Sequence, residues 1–466
     1  MRIGLALLGI GLLTSATARA TETARATETA RATEAEPKLP FEKYTLANGL
    51  QVILHHDPRL PLAAVSVWYD VGGLHERAGR SGFAHLFEHM MFQGSQHIPE
   101  DQHFALLQQA GATQVNGTTD FDRTNYFETV PSHELDLALW LEADRMGFLL
   151  PSLTKKSLAN QVEVVKNERR QSVETAPYGI FTEKIIQALY PAGHPYHGNV
   201  IGSMNDIAAA TVEDVRDFWL SYYTPANATL TVAGAFDPAT IREKIERYFG
   251  SLKGRPKPLP PKIEIPALNG EQELRYEEPI GALPKLSMIW FCPPAFSPGT
   301  AELQLLAHVI SGTKSSRLDK RITYDRQIAQ SVTAYLRELK AGSLFQIDVV
   351  VRPGHTLAEA KATIDEVLAD LRANPPTDAE LRRGLNAEES HVLFGLELLG
   401  GFGGRAEQLQ TYNLFLGDPG KLAWDLERFR QAKSADLSRV LEQYLGKNRL
   451  IAYAQPKAPV AGGGQP

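Results

Sequence analysis

The strongest constraint on this chain is that it repeats itself. Leu60-Pro61-Leu62 precedes the strand-like Val65-Ser66-Val67-Trp68-Tyr69 and then a helix ending near Gly94. About 220 residues further on, Leu283-Pro284-Lys285 precedes Leu286-Ser287-Met288-Ile289-Trp290 and a helix ending near Gly312. At similar spacing, Tyr223-Thr224-Pro225-Ala226-Asn227 leads into a strand from Ala228 to Ala233, and Tyr444-Leu445-Gly446-Lys447-Asn448 into Arg449 to Ala454. Several matched places at one offset imply two copies of one unit. Each copy mixes alternating strand patterns with helical runs such as Asp136 to Phe148 and Leu357 to Asn374. The expected class is therefore α+β, each half a mainly antiparallel sheet with its connecting helices on one side.

The Pro-rich stretch Gly254-Arg255-Pro256-Lys257-Pro258-Leu259-Pro260-Pro261 is stiff and extended, and reads as the link between the halves. Upstream, Arg2, the apolar run Ile3 to Leu13 and Ala18-Arg19-Ala20 form the three parts of a secretory signal. The run is too short to cross a bilayer, and no later stretch approaches twenty apolar residues, so no membrane span is expected. Two copies of Thr-Glu-Thr-Ala-Arg-Ala follow, without a bulky apolar residue, and read as a flexible spacer. The expected layout is a signal peptide over 1–20, a spacer over 21–38, a first domain over 39–254, a linker over 255–262, a second domain over 263–458 and a tail over 459–466. Export to a bacterial periplasm is the expected destination.

Of the 466 residues, 43% are hydrophobic and 22% charged, which excludes a disordered or multi-span membrane protein. The net charge of −6 argues against nucleic acid or anionic lipid as the main partner. Cys292 is the single cysteine, so no internal disulfide can form, and it is expected to pack as a small hydrophobe.

The chemistry concentrates in Phe83-Ala84-His85-Leu86-Phe87-Glu88-His89-Met90-Met91-Phe92. Apart from His85, Glu88 and His89, every side chain here is apolar. A helix apolar nearly all round is buried, and a buried His-Glu-His trio is costly unless something such as a bound cation satisfies it. His85 and His89 lie one turn apart on one face, where two imidazoles can hold one metal, and Glu88 is placed for a water on that metal. H-x-x-E-H is the order of the inverzincins. A catalytic zinc site needs a third protein ligand. In the helical run Lys155 to Gln171, Leu158, Val162 and Val165 form the buried stripe. Glu168 lies near that stripe and Glu163 almost opposite, so Glu168 is the better inward carboxylate.

With these segments, Asn116-Gly117-Thr118-Thr119 and Gly193-His194-Pro195-Tyr196 with Gly202, nearly all of the mature chain resembles the pitrilysin/insulinase family of zinc peptidases. Within that family it is most similar to the short two-domain bacterial proteins that are themselves similar to mitochondrial processing peptidase. The resemblance implies two α+β domains that together form half of a clam-shell, with one zinc ion per chain. It implies His85, His89 and Glu168 as ligands and Glu88 as general base. Seven residues before Glu168, many relatives place a Glu behind a His ligand; here Gln161 stands there, without charge. Asn116 matches a residue that contacts the substrate backbone. Gly117 to Phe121, including Thr118 and Thr119, matches the edge strand to which a peptide adds.

The second half carries Leu303, Leu306 and Ala307 where the first has His85, Glu88 and His89, so it has lost the metal motif. In active relatives that half carries an Arg and a Tyr seven residues apart. Aligned on Ser315-Ser316-Arg317-Leu318 and Ile328-Ala329-Gln330-Ser331-Val332, these positions are Thr323 and Gln330. Arg405 and Tyr412, also seven apart, lie outside the motif. The expectation is a secreted zinc endopeptidase that cleaves unfolded peptides or small polypeptides in a closed chamber. It is expected to be the metal-bearing subunit of a heterodimer whose paralogous partner supplies Arg and Tyr. The alternative is a catalytically silent scaffold or assembly protein of the same superfamily.

Overall fold

A computed structural model describes residues 37–457, and from Leu39 onward these belong to one compact unit. The expected signal peptide, most of the spacer and the tail lie outside the described residues. The strands are β1 (Glu42–Thr45), β2 (Gln51–His56), β3 (Leu62–Tyr69), β4 (Thr113–Thr119), β5 (Thr124–Pro131) and β6 (Ala228–Gly234), then β7 (Glu271–Glu278), β8 (Lys285–Cys292), β9 (Ala329–Arg337), β10 (Ser343–Val351) and β11 (Arg449–Pro456). The first six form one sheet in the order β1-β2-β6-β3-β5-β4, and the other five form a second in the order β7-β11-β8-β10-β9. The second order repeats β2-β6-β3-β5-β4 position for position. Each sheet also keeps one parallel pair, β2 with β6 and β7 with β11, among otherwise antiparallel neighbours.

The helices of the first half are α1 (Phe83–Met90), α2 (Gln102–Gln109), α3 (Leu135–Phe148), α4 (Lys155–Arg169), α5 (Gly179–Leu189), α6 (Met204–Ala208), α7 (Val212–Tyr222) and α8 (Ile241–Phe249). Those of the second are α9 (Thr300–Ile310), α10 (Leu357–Ala373), α11 (Asp378–Gly395), α12 (Arg405–Leu416), α13 (Leu422–Gln431) and α14 (Ser434–Tyr444). Val65, Val67, Tyr69, Leu86, Phe87, Tyr126, Val165 and Leu230 belong to one apolar core between the first sheet and its helices. The second half builds its own core, which includes Cys292 as a buried hydrophobe.

One expectation needs correcting. Helices do not lie on one side of the first sheet alone, because α12 of the second half crosses its other face. Ala406 packs on Ala64 and Ala233, small side chains that let helix and sheet approach closely. The contact is otherwise polar: Glu407 accepts hydrogen bonds from Ser66 Oγ (2.8 Å), Trp68 Nε1 (3.1 Å) and Asn125 Nδ2 (2.8 Å). Strand β3 is therefore buried on both faces, as its nearly unbroken apolar sequence would allow. A second join lies at the hairpin tips, where Asp122, after β4, accepts from Tyr196 Oη (2.8 Å) and from the backbone N–H of Lys340 (2.8 Å), after β9. Lys340 and Lys257 both pair with Asp70.

Two boundaries also shift. The helical run from Lys155 is α-helical only to Arg169, and a π-helical turn over Arg170–Glu174 follows it. The edge strand runs Thr113–Thr119 rather than Gly117 to Phe121, because Asp120 accepts the backbone N–H groups of Asp122 and Arg123 and turns the chain.

Candidate metal centre

Helix α1 starts at Gly82, whose φ of 85° is left-handed and offers no side-chain cap. The first-turn donors are instead taken by Glu76, which accepts from the N–H of Gly82 (2.9 Å) and of Ala84 (2.8 Å), a carboxylate at the positive end of the helix. Leu86, Phe87 and Met90 bury the helix against the sheet. His85 and His89 project together from the other side toward α4, where Glu168 meets them.

The three side chains form a small triangle. Nε2 of His85 and Nε2 of His89 are 3.3 Å apart, and the Glu168 oxygens lie 3.6 Å from His85 Nε2 and 3.2 Å from His89 Nε2. Ligands at about 2.0–2.1 Å from a tetrahedral zinc ion are separated by roughly 3.3 Å, so the triangle has the dimensions of one face of such a site. Two imidazoles and a carboxylate are also the donor types that zinc takes. Among the described residues, this is the one His/Cys/Asp/Glu cluster of three that could hold a metal ion.

Electrostatics agree with the crowding. Burial, reinforced by the charge of His89, pushes the His85 imidazole down to about 4. Burial also opposes the charge on His89, but Glu168 and Glu88 outweigh it and the net shift is upward. Buried Gln161 stands beside His89 and favours its charged form. The hydrogen bond from His89 holds the Glu168 carboxyl below its ordinary range. Glu163, by contrast, points to solvent and pairs with Lys166 at 2.7 Å.

Glu88 sits outside the triangle, on the same helix and against β4. Burial raises its carboxyl above the ordinary range, against the pull of Thr119, whose Oγ1 donates to Oε2 at 2.6 Å. Gly117 faces the same carboxylate: a Cβ placed there would lie 3.2 Å from Glu88 Oε1. Asn116 and Thr118 alternate to the opposite face. Asn116 is exposed and Thr118 donates to Asn125 Oδ1 at 2.6 Å. The structure thus brings Gly117 and Thr119 to Glu88 and leaves Asn116 and Thr118 away from it. Glu76 was not singled out by sequence; the one cue was a carboxylate shortly before an uncapped helix start.

In the second half, Leu303, Leu306 and Ala307 are buried on α9 as ordinary core residues. Thr323 lies in a π-helical turn over Asp319–Asp325, and Gln330 is exposed on β9. Arg405 pairs with Asp57, while Tyr412 Oη donates to Asp425 at 2.9 Å, so both serve packing.

The first half, over residues 51–196, matches the family described as insulinase (peptidase family M16), and residues 209–388 match its companion, described as the peptidase M16 inactive domain. The zinc protease PqqE of Helicobacter pylori is 28% identical, over 88% of this chain and 91% of its own. A crystal structure of a protease from Helicobacter pylori superposes with a TM-score of 0.83 at 25% identity, covering 90% of this chain and all of that one. The periplasmic protease PqqL of Escherichia coli has the same fold (TM-score 0.73, 17% identity), but the match covers 90% of this chain and 48% of PqqL. With both halves matched in order, the chain belongs to the M16 insulinase/pitrilysin family of peptidases, in its short two-domain bacterial form.

Proposed function

We propose that this protein is an exported zinc-dependent endopeptidase that cleaves extended peptides, with His85, His89 and Glu168 as metal ligands and Glu88 as proton carrier. The observation that carries the reading is the three-donor triangle with a buried, separately held carboxylate beside it. Zinc, when bound, supplies Lewis-acid polarisation of the scissile carbonyl and of the attacking water. Glu88 takes a proton from that water as its oxygen attacks the carbonyl carbon. The same carboxyl then delivers the proton to the leaving nitrogen as the C–N bond breaks. Thr119 fixes one oxygen of Glu88, and the other faces Gly117, which adds no side chain of its own between Phe92 and the carboxylate. The outer edge of β4 presents main-chain N–H and C=O groups with which a peptide can pair as an added strand. Among the described residues no helix is long and apolar enough to cross a membrane, and the N-terminal signal supports a periplasmic location.

The site is incomplete in one respect. An oxyanion forms in the reaction, and Thr323 and Gln330 stand where active relatives place the Arg and Tyr that bind substrate backbone and oxyanion. We infer that a paralogous half-shell supplies them in a heterodimer. That PqqL is about twice the length matched here supports an enclosure made of two such halves. The deciding experiment for the catalytic reading is Glu88→Gln: zinc content should stay near one per chain while peptide turnover falls at least 100-fold. Full turnover in that variant would refute the assignment.

A further inference from the structure

We propose that Arg169 is a positioning residue. It ties the end of α4 to the loop that abuts the start of α1, and so sets the distance from Glu168 to the two histidines. This rests on the reading of Glu168 as a ligand. Arg169 follows Glu168 directly, but its side chain turns away from the triangle and is 6% exposed. Nη1 donates to the carbonyl of Gly202 at 2.5 Å, Nη2 donates to Glu183 at 2.8 Å, and Nε lies 3.4 Å from Glu174. Glu174 comes within reach because the π-helical turn winds the chain back around Arg169.

Gly202 in turn touches the metal helix through backbone alone. A Cβ on Gly202 would fall 2.4 Å from Gly82 Cα, and one on Gly82 would fall 2.8 Å from Gly202 Cα. Ser203 N–H donates to Ser81 Oγ at 3.0 Å, which secures the same crossing. The route from the third donor to the first two is therefore short and stiff: α4, guanidinium, Gly202, Gly82, α1. The guanidinium's own partners, Gly202, Glu183 and Glu174, are not donors of the triangle. A planar fork that hydrogen-bonds one carbonyl and one carboxylate at once, with Glu174 held only at ion-pair distance, cannot be replaced by a single ammonium centre. The triangle is thus held at ion-binding dimensions by protein contacts, and loosening the tie should lower metal affinity through Glu168 alone.

The test is the zinc dissociation constant of the full chain, measured by chelator competition, with the visible spectrum of the cobalt-substituted protein as a second readout. Arg169→Lys should weaken zinc about tenfold or more and shift the cobalt spectrum toward that of Glu168→Gln. In a Glu168→Gln background the same change should add less than about twofold, because the two act as one unit. Gly202→Ala, which disturbs the crossing from the other side, should behave like Arg169→Lys, and Glu174→Gln should leave zinc affinity unchanged. Native affinity in both Arg169→Lys and Gly202→Ala would overturn the proposal. An equal loss from Arg169→Lys with and without Glu168 would also overturn it, since the residue would then act on the fold at large. Native affinity in Glu168→Gln is a different failure: it would remove Glu168 from the site and leave Arg169 nothing to position.

Discussion

Thr119 Oγ1 donates to Glu88 Oε2 at 2.6 Å, so the strand proposed to receive the peptide also aims the carboxylate proposed to move its protons. Substrate pairing and proton transfer thereby share one mechanical element. Thr119→Val should lower kcat about tenfold with zinc content unchanged, and Thr119→Ser should restore most of the loss. Steady-state kinetics with a quenched-fluorescence peptide and metal analysis check both outcomes.

The two glutamates of α4 should separate cleanly. Glu168→Gln is expected to weaken zinc binding by one order of magnitude or more. Glu163→Gln should leave it unchanged, because Glu163 faces water and pairs with Lys166. Chelator competition on the two purified variants decides the matter, and equal affinities would exclude Glu168 as a ligand.

The isolated chain should bind zinc yet cleave poorly. A missing oxyanion donor costs about 100- to 1,000-fold in turnover, and neither Thr323 nor Gln330 can donate as Arg and Tyr do. Adding a paralogous subunit that lacks the metal motif but carries the Arg and Tyr should raise turnover by that factor. Full activity of the purified chain alone, indifferent to such a subunit, would refute the heterodimer.

The join between the halves should be pH-sensitive. Burial, with help from the charge of Asp120, pushes the Asp122 carboxyl up to about 6 from an unfolded value of 3.8. A raised carboxyl favours folding in its protonated form, so its contribution is fully present below about pH 4 and lost as pH rises through 6. The loss across that window is on the order of 2–3 kcal/mol. Urea titrations at pH 4.5 and 7 should show a smaller difference between the two pH values for Asp122→Asn than for the native chain.

How much of this was legible in the sequence depended on how local the signal was. The pairing of His85 with His89 needs only one helical turn inside an apolar helix, so spacing sufficed. Glu168 was legible because Leu158, Val162 and Val165 mark the buried stripe of α4, and an inward carboxylate stands out against it. The bond from Thr119 to Glu88 joins a strand to a helix that precedes it, and no periodicity encodes it. Glu76 and Arg169 were missed for the same reason: each looks like an ordinary surface charge until the tertiary fold buries it. For the fold, two sheets of matching strand order agree with the repeated segments. The placement of α12 on the first sheet was not legible, since Glu407 and Gln410 find their partners Ser66, Trp68, Asn125 and Thr229 only across the tertiary fold.

That placement governs how the protein can be cut and recombined. Helix α12 belongs to the second half by position in the chain, yet it packs on the first sheet through Ala406 as well as on its own half through Tyr412. A polypeptide ended at the Pro-rich stretch would leave Ser66, Trp68 and Asn125 facing an empty sheet surface where Glu407 had stood. Gln410 Nε2, which donates to the carbonyls of Ser66 and Thr229, would be lost with it. Chimaeras that exchange halves between relatives must therefore carry residues 405–416 with the zinc-site half, and a gene fragment for that half alone should give an insoluble product.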